Sequence, residues 1–278
     1  MIAFYVQGGG LGHLSRTHKL IQYLEIDSKD VLIITPSAFK HHFKQYQFIP
    51  ISWNSSPAIW SNILIEHLTK HNIQFCYIDT FPLGMKGELI SVYKALPKIS
   101  FVYTCRILKW EKYLNDMPET FAPNFFKTIL LENLSEVHVN WIKAASKQIN
   151  KVLFPISTIT EHKTLAKDPY GLIIHSGGIK DVISLCTKVK AVMPSNIKSI
   201  FVFTQVTAEF DDKRFQFRIQ EYPVQAYFKN ATHIYTAAGF NLINELASYH
   251  EKHTIFPIER LYDDQFFRAK NSGNLLAK

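Results

Sequence analysis

The chain has 278 residues, 47% of them hydrophobic and 14% aromatic, with a formal net charge of +8. This composition excludes a disordered or low-complexity chain, and the length suits two domains, each with its own core. The positive excess is spread over both halves, with no arginine-rich arm and no basic run of five or more. That argues against a nucleic-acid binder and fits an anionic small substrate or an anionic membrane surface.

Apolar runs alternate with amphipathic stretches from the first residues onward. Strands are expected at IAFYV (2–6), VLIIT (31–35), FIPIS (48–52), FCYID (75–79), ISFVYT (99–104), EVHVNW (136–141) and VLFPI (152–156). Helices are expected over 14–25, 38–46, 59–71, 86–96 and 124–133. Continuous apolar strands separated by helices predict a parallel sheet covered on both faces. The polar stretch 157–171 reads as a linker. The pattern then restarts. Strands are expected at LIIHS (172–176), SIFVFTQ (199–205), FQFRI (215–219), HIYTAA (233–238) and TIFPI (254–258), and helices over 180–192, 224–229, 240–249 and from 263 onward. Two doubly wound α/β domains in tandem follow, over 1–156 and 157–278. Such sheets bind ligands at the carboxyl ends of their strands, so a cleft between two of them is where a substrate is expected.

The three cysteines, Cys76, Cys105 and Cys186, are far apart and form no CxxC pair, so buried reduced thiols are expected. The N-terminus has no basic region ahead of its short apolar run, and no stretch of about 18 apolar residues occurs. These features predict a cytoplasmic protein, with peripheral contact at the inner face of a membrane as a further expectation.

The stretch GGGLGHLSR (8–16) sits at the first strand-to-helix turn. Glycine permits close backbone approach, and a helix N-terminus welcomes an anion. Gly8, Gly9, Gly10 and Gly12 therefore suit a diphosphate or a charged transition state, or they make only a tight connection. The Rossmann spacing GxGxxG is absent, as is the Gly-Lys-Ser/Thr of a phosphate-binding loop. His13, at the start of the helix, is held neutral by the dipole and can accept a proton, or it only caps the helix. Arg16 lies one turn later on nearly the same face.

The stretch AAGFNLINELASYHEKHTIFPIERLYDDQFFRA (237–269), together with GLGHLSR and HSGG (175–178), resembles the GT-B glycosyltransferases of the MurG type, glycosyltransferase family 28. It is similar in particular to a group of predicted glycosyltransferases that begin with a Gly-Leu-Gly-His-Leu-x-Arg turn. The UDP-sugar hydrolases of pseudaminic acid synthesis carry a similar turn, and DTFPLG (79–84) is similar to a loop of the same group. The resemblance implies a GT-B fold with an acceptor-side first domain and a nucleotide-sugar-binding second domain. It implies that Glu245 takes the ribose hydroxyls of the donor, that Gly239, Phe240 and Asn241 face the diphosphate, and that Asp264 and Gln265 read hydroxyls of the donor sugar. It further implies that Ile219 and Gln220 pair with the base edge. Ser176, Gly177 and Gly178 match the glycine turn that opens the second domain, and Gly9, Gly10, Gly12 and His13 match the turn below the reaction centre. A carboxylate suits ribose because two hydroxyl donors match two acceptor oxygens.

His67 and His71 stand four residues apart on an expected helix but lack a third ligand, so a solvated face is the expectation. No Asp-x-Asp occurs, which disfavours a metal-dependent GT-A mechanism, and no metal site is expected. The basic and aromatic stretch 106–127 either docks an acceptor or an anionic membrane, or it is a core-facing helix with a charged rim. These readings combine into a metal-independent inverting glycosyltransferase that moves a sugar, UDP-linked by expectation, from a nucleotide sugar to an acceptor. His13 and Arg16 are its candidate catalytic residues, and no cofactor beyond the donor substrate is expected. A nucleotide-sugar hydrolase and a non-catalytic binding protein are the alternatives.

Overall fold

The apolar runs become the strands of two parallel sheets in the computed structural model, which describes residues 1–153 and 161–272. The chain divides into two units, Met1–Pro155 and Ile156–Lys278.

The first unit holds seven strands: β1 (Ile2–Val6), β2 (Val31–Thr35), β3 (Gln47–Pro50), β4 (Phe75–Asp79), β5 (Ser100–Cys105), β6 (Lys127–Leu130) and β7 (Ile149–Lys151). They pair in parallel in the order β3-β2-β1-β4-β5-β6-β7. The helices that use their apolar faces to cover this sheet include α1 (Leu11–Tyr23), α2 (Pro57–Lys70), α3 (Glu88–Ala95), α4 (Trp110–Asn115) and α5 (Glu136–Ala145). The strand order reverses at β1. The chain leaves β1 through α1 toward β2 and later returns to β4 on the other side, which places Val6 in register with Asp79. The carboxyl ends of β1 and β4 therefore flank the crevice at which doubly wound sheets bind ligands.

Two expectations in this unit fail. EVHVNW forms α5, not a strand, because its buried residues are His138, Ile142 and Ala145 while Val137 is exposed, a helical rather than an alternating period. The expected helix over 124–133 is instead β6. Pro123 precedes it, and Thr128 and Ile129 are buried in a ladder against β5. The strand expected at 152–156 falls at 149–151, and residues 154–156 lie outside the described residues.

The second unit has five strands: β8 (Tyr170–His175), β9 (Ser199–Thr204), β10 (Phe215–Ile219), β11 (His233–Thr236) and β12 (His253–Ile255). Their parallel order is β10-β9-β8-β11-β12. Its helices are α6 (Ile179–Val192), α7 (Phe240–Glu245) and α8 (Gln265–Asn271). Alternate residues of one strand enter separate cores. Tyr170, Leu172, Ile174, Phe201 and Phe203 pack on one face, and Ile173, Ile200 and Val202 pack with α6 on the other. Both faces are thus covered, as the apolar runs require. The expected linker is shorter than 157–171. Lys163 N donates to Ala226 O at 2.9 Å, and Leu165 and Ala166 pack on the core of this unit. Cys76, Cys105 and Cys186 are free and buried. Among the described residues, no helix is long and apolar enough to cross a membrane.

Candidate active site

The glycine turn between β1 and α1 and the end of β4 assemble one buried cluster. His13 Nδ1 lies 2.6 Å from Asp79 Oδ2. Arg16, 3% exposed and one turn further along α1, donates from Nε to Asp79 Oδ1 at 2.9 Å and from Nη2 to Oδ2 at 2.6 Å. The guanidinium thus grips both oxygens of the carboxylate, the strongest geometry an Arg–carboxylate pair adopts. Arg16 Nη2 and Arg106 Nε both donate to Thr80 Oγ1, at 2.8 and 3.1 Å. Thr80 has φ +69°, a left-handed backbone that a β-branched residue adopts at a cost of about 1–3 kcal/mol. That strain lies directly beside the ion pair.

Burial is the main influence on both ionisable partners. It pushes His13 down to about 4, aided by Arg16 and Arg106 and opposed by Asp79. For Asp79, burial works upward, but the Arg16 charge and the bonds from His13 and Arg16 override it and hold the carboxyl well below the usual carboxylate range. The result at neutral pH is an anionic Asp79 that accepts a hydrogen bond from the Nδ1–H of a neutral imidazole. That tautomer leaves Nε2 as a proton acceptor. The edge carrying Nε2 lies over Gly8, where a Cβ would stand 2.2 Å from His13 Cδ2 and 2.5 Å from Nε2. Only glycine lets the ring lie there.

The open helix start is a further property of this turn. Gly10 is the N-cap of α1, makes no side-chain cap bond and has open space where a Cβ would be. Gly178 stands likewise at the start of the 14-residue α6, and Gly239 at the start of the short α7. By contrast, Ser56 and Asp264 cap α2 and α8 through their side chains. Uncapped helix starts leave backbone N–H groups for an anion.

In the second unit most of the sequence-derived donor residues follow the carboxyl ends of strands. Ser176, Gly177 and Gly178 follow β8, Gly239, Phe240 and Asn241 follow β11, and Asp264 and Gln265 follow β12. Ile219 ends β10 at 42% exposure, and Gln220 follows with φ +59°. Glu245, 7% exposed at the end of α7, accepts a bond from Gln225 Nε2 at 2.9 Å. Asp264 and Gln265 have internal work as well. Asp264 Oδ1 accepts from Phe267 N at 2.9 Å as the cap of α8, and Gln265 Oε1 accepts from Ile258 N at 3.1 Å. A second trio stands beside Gly177. Arg260 Nη2 donates to Asp181 Oδ2 at 2.7 Å, with His175 Nε2 3.6 Å from the same oxygen.

No protein-family model and no curated protein matches the chain by sequence. Solved structures do match it. The spinosyn rhamnosyltransferase SpnG complexed with thymidine diphosphate superposes with a TM-score of 0.62 at 13% identity, over 98% of this chain and 84% of that one. MurG of Acinetobacter baumannii gives 0.53 at 10% identity, over 98% and 82%. The S. aureus MnaA–UDP co-structure gives 0.65 at 8% identity, over 99% and 83%.

The fold is GT-B. At these identities the likeness is one of fold, and MurG is one neighbour among several, so the fold does not single out family 28. The sequence motifs fall at strand ends and helix starts, where doubly wound sheets bind ligands in general.

Sequence reasoning named His13 and Arg16 but missed the partner that organises them. Asp79 closes the run FCYID and opens DTFPLG, and a carboxylate at the end of a buried strand was the available signal. Gly8 and Arg106 were read as parts of the glycine turn and of the basic stretch without this role, and Thr80 carried no comparable signal. The basic and aromatic stretch 106–127 turns inward. Trp110, Tyr113 and Phe125 are buried, and Trp110 stacks on His138 at 3.7 Å. Arg106 is buried as well, while Phe126 stays exposed. His67 and His71 lie half-buried on and just beyond α2 with their rings 5.9 Å apart. No group of three or more His, Cys, Asp or Glu that could hold a metal occurs among the described residues.

Proposed function

We propose that this chain is a metal-independent, inverting glycosyltransferase of the MurG-like kind that uses a nucleotide sugar, UDP-linked, as donor. The observation that carries the reading is the His13–Asp79 pair at 2.6 Å, with the imidazole neutral and its Nε2 left as base. In the reaction, Nε2 takes the proton of an acceptor hydroxyl as that oxygen attacks the anomeric carbon from the side opposite the leaving group. The bond from the anomeric carbon to the phosphate oxygen breaks, and the nucleoside diphosphate departs with the electron pair. Asp79 holds the ring in the required tautomer and offsets the imidazolium charge as it forms. Arg16 positions Asp79.

The donor is assigned to the carboxyl edge of the second sheet. Glu245 would take ribose hydroxyls, Ile219 and Gln220 the base, the open starts of α6 and α7 the diphosphate, and Asp264 and Gln265 the sugar. Support comes from the uncapped glycine starts and from GT-B neighbours solved with thymidine diphosphate and with UDP. The donor is a substrate, and no further cofactor is proposed. The charge of +8 suits an anionic donor, and the setting proposed is the cytoplasm, with peripheral contact to an anionic membrane and a cell-envelope glycan or lipid as acceptor.

Water can replace the acceptor at the same base, which makes a nucleotide-sugar hydrolase the second reading. The test is to incubate the protein with UDP- and dTDP-sugars, with and without methyl glycosides, and to measure diphosphate release and products. Transfer predicts a glycosylated product of inverted configuration, and free sugar without acceptor means hydrolysis. His13→Ala is expected to lower turnover about 10²–10⁴-fold with donor binding kept. Binding without turnover across the panel would leave a sensor or scaffold.

A further inference from the structure

The loop after β3 places an exposed tryptophan on the same glycine turn that carries His13. Trp53 is 40% exposed. A Cβ at Gly9 would stand 3.3 Å from its Cζ2, 3.5 Å from Nε1 and 3.6 Å from Cε2, so the N–H edge of the indole leans on Gly9. His13 leans on Gly8, the preceding residue, whose Cα lies about 3.8 Å away. Two rings therefore rest on consecutive residues of one turn.

The loop that holds Trp53 is built, not loose. Trp60 Nε1 donates to Ser52 O at 2.8 Å, Ser55 N donates to the same oxygen at 3.2 Å, and Asn54 N donates to Ser52 Oγ at 3.3 Å. The buried Trp60 ring meets Trp53 nearly at right angles, with centroids 6.2 Å apart. Trp53 itself donates no side-chain hydrogen bond to protein among the described residues, so its exposed N–H is open to solvent or to a ligand. Ser52 and Asn54 beside it are exposed.

We infer that Trp53 is the platform of an acceptor subsite that takes a pyranose ring. The inference rests on the transfer reading above and names the acceptor class. A hexopyranose has an apolar C–H face that stacks on an indole and a rim of hydroxyl oxygens that accept from Nε1–H. A ring stacked there would lie on the turn whose preceding glycine carries the base. An acyl chain would leave the N–H unsatisfied, and a phosphate would make no use of the flat exposed ring.

The experiment uses the full chain with labelled tryptophan and follows the four indole N–H resonances. Trp53→Phe identifies the relevant one. Methyl glycosides of glucose, galactose, N-acetylglucosamine and rhamnose are titrated one by one, with UDP and the open-chain polyol sorbitol as controls. At least one glycoside is expected to move the Trp53 resonance saturably, while UDP and sorbitol leave it in place. With that glycoside as acceptor, Trp53→Ala is expected to raise KM about tenfold with kcat changed less than about twofold. The inference is overturned if no glycoside moves the resonance, if UDP or sorbitol moves it equally, or if the variant lowers kcat and leaves KM alone. The binding arm needs no turnover. A glycoside-shifted Trp53 in a protein that turns over no nucleotide sugar would sink the transfer reading and keep the subsite. Turnover with an unmoved Trp53 would sink the subsite alone.

Discussion

Each unit of the chain sets a histidine, an aspartate and an arginine around the glycine turn that follows its first strand, and the two trios are put together differently. In the first, His13 comes from the helix, Asp79 from a neighbouring strand, and Arg16 grips both carboxylate oxygens at 2.6–2.9 Å in a site where Arg16 is 3% exposed. In the second, His175 ends the strand and Asp181 lies in the first turn of α6, with Arg260 holding one carboxylate oxygen from a loop. The imidazole there stands 3.6 Å from the carboxylate, and the side chains of Asp181 and Arg260 are 25% and 32% exposed. Gly177 makes room for His175 Nε2 as Gly8 does for His13. The nitrogen turned to the carboxylate is Nδ1 in the first trio and Nε2 in the second. The same three side chains thus build a closely paired, buried imidazole in one place and a looser, more exposed brace at a helix start in the other. Short distance and burial separate the two.

The largest effect should come from the carboxylate. Asp79→Asn is expected to lower turnover about 10²–10⁴-fold, because an amide neither fixes the tautomer nor offsets the imidazolium. Rates should be compared on folded protein, checked by circular dichroism, since the variant also leaves two buried guanidiniums less compensated. A near-normal rate would mean that His13 does not work through Asp79.

Arg16→Met removes the grip and keeps a long apolar stem. Breaking one partner out of a buried pair costs about 3–5 kcal/mol, to be read as a drop in the urea midpoint. The pH dependence carries a sign. The folded pKa of His13, about 4, lies below the ordinary value of 6.5. Between them the unfolded chain binds more protons, so this group's contribution to stability falls as pH drops through that window. Turnover should be flat above about 5 on its account. Removing the Arg16 charge raises the pKa of His13, so the acid limb of turnover should move to higher pH. A limb that stays put would remove Arg16 from the electrostatics of the base.

Gly8→Ala tests the geometry without touching a charge. Its Cβ would meet the imidazole at 2.2 Å, so the ring must move. A displacement of about 1 Å at a reacting group costs about 10²-fold, and that loss is expected in kcat with donor binding intact. Unchanged kcat would show that the ring's seat over Gly8 is incidental.

What could be read in advance follows from where the information lies. The strand runs were legible because a parallel sheet buried on both faces demands continuous apolar residues. VLIIT is buried at every position and says so in one dimension. The segment EVHVNW misled because two valines suggest alternation while the buried residues sit at helical spacing. Within the site, His13 and Arg16 were visible because one turn of helix joins them. Asp79 is 66 residues from His13 and meets it only because the sheet places β4 beside β1. No local pattern encodes that pairing. Gln265 shows the converse. A motif relates it to the sugar but does not show that its side-chain oxygen accepts from the backbone of Ile258.

The smallest effect should come from the second trio. Asp181→Asn removes the charge that Arg260 and His175 share, in a site open to solvent. Partly exposed pairs are worth about 0–1 kcal/mol, so the urea midpoint should move little and turnover should stay within about threefold of the parent. The sign again follows from the shifts. Asp181 burial works upward, but Arg260 and His175 hold its pKa below the usual range, so the stabilisation is present above the ordinary carboxylate value and is lost as pH falls. His175 is lowered by burial and by Arg260, so below the ordinary histidine value it also destabilises the fold on acidification. The variant should therefore show a shallower loss of stability in the carboxylate range and, because the Asp181 charge holds the His175 pKa up, a steeper loss below the ordinary histidine value. A fall in turnover as large as that expected for Asp79→Asn would show the two trios to be equivalent machinery. Burial and short distance would then not separate the two trios in function.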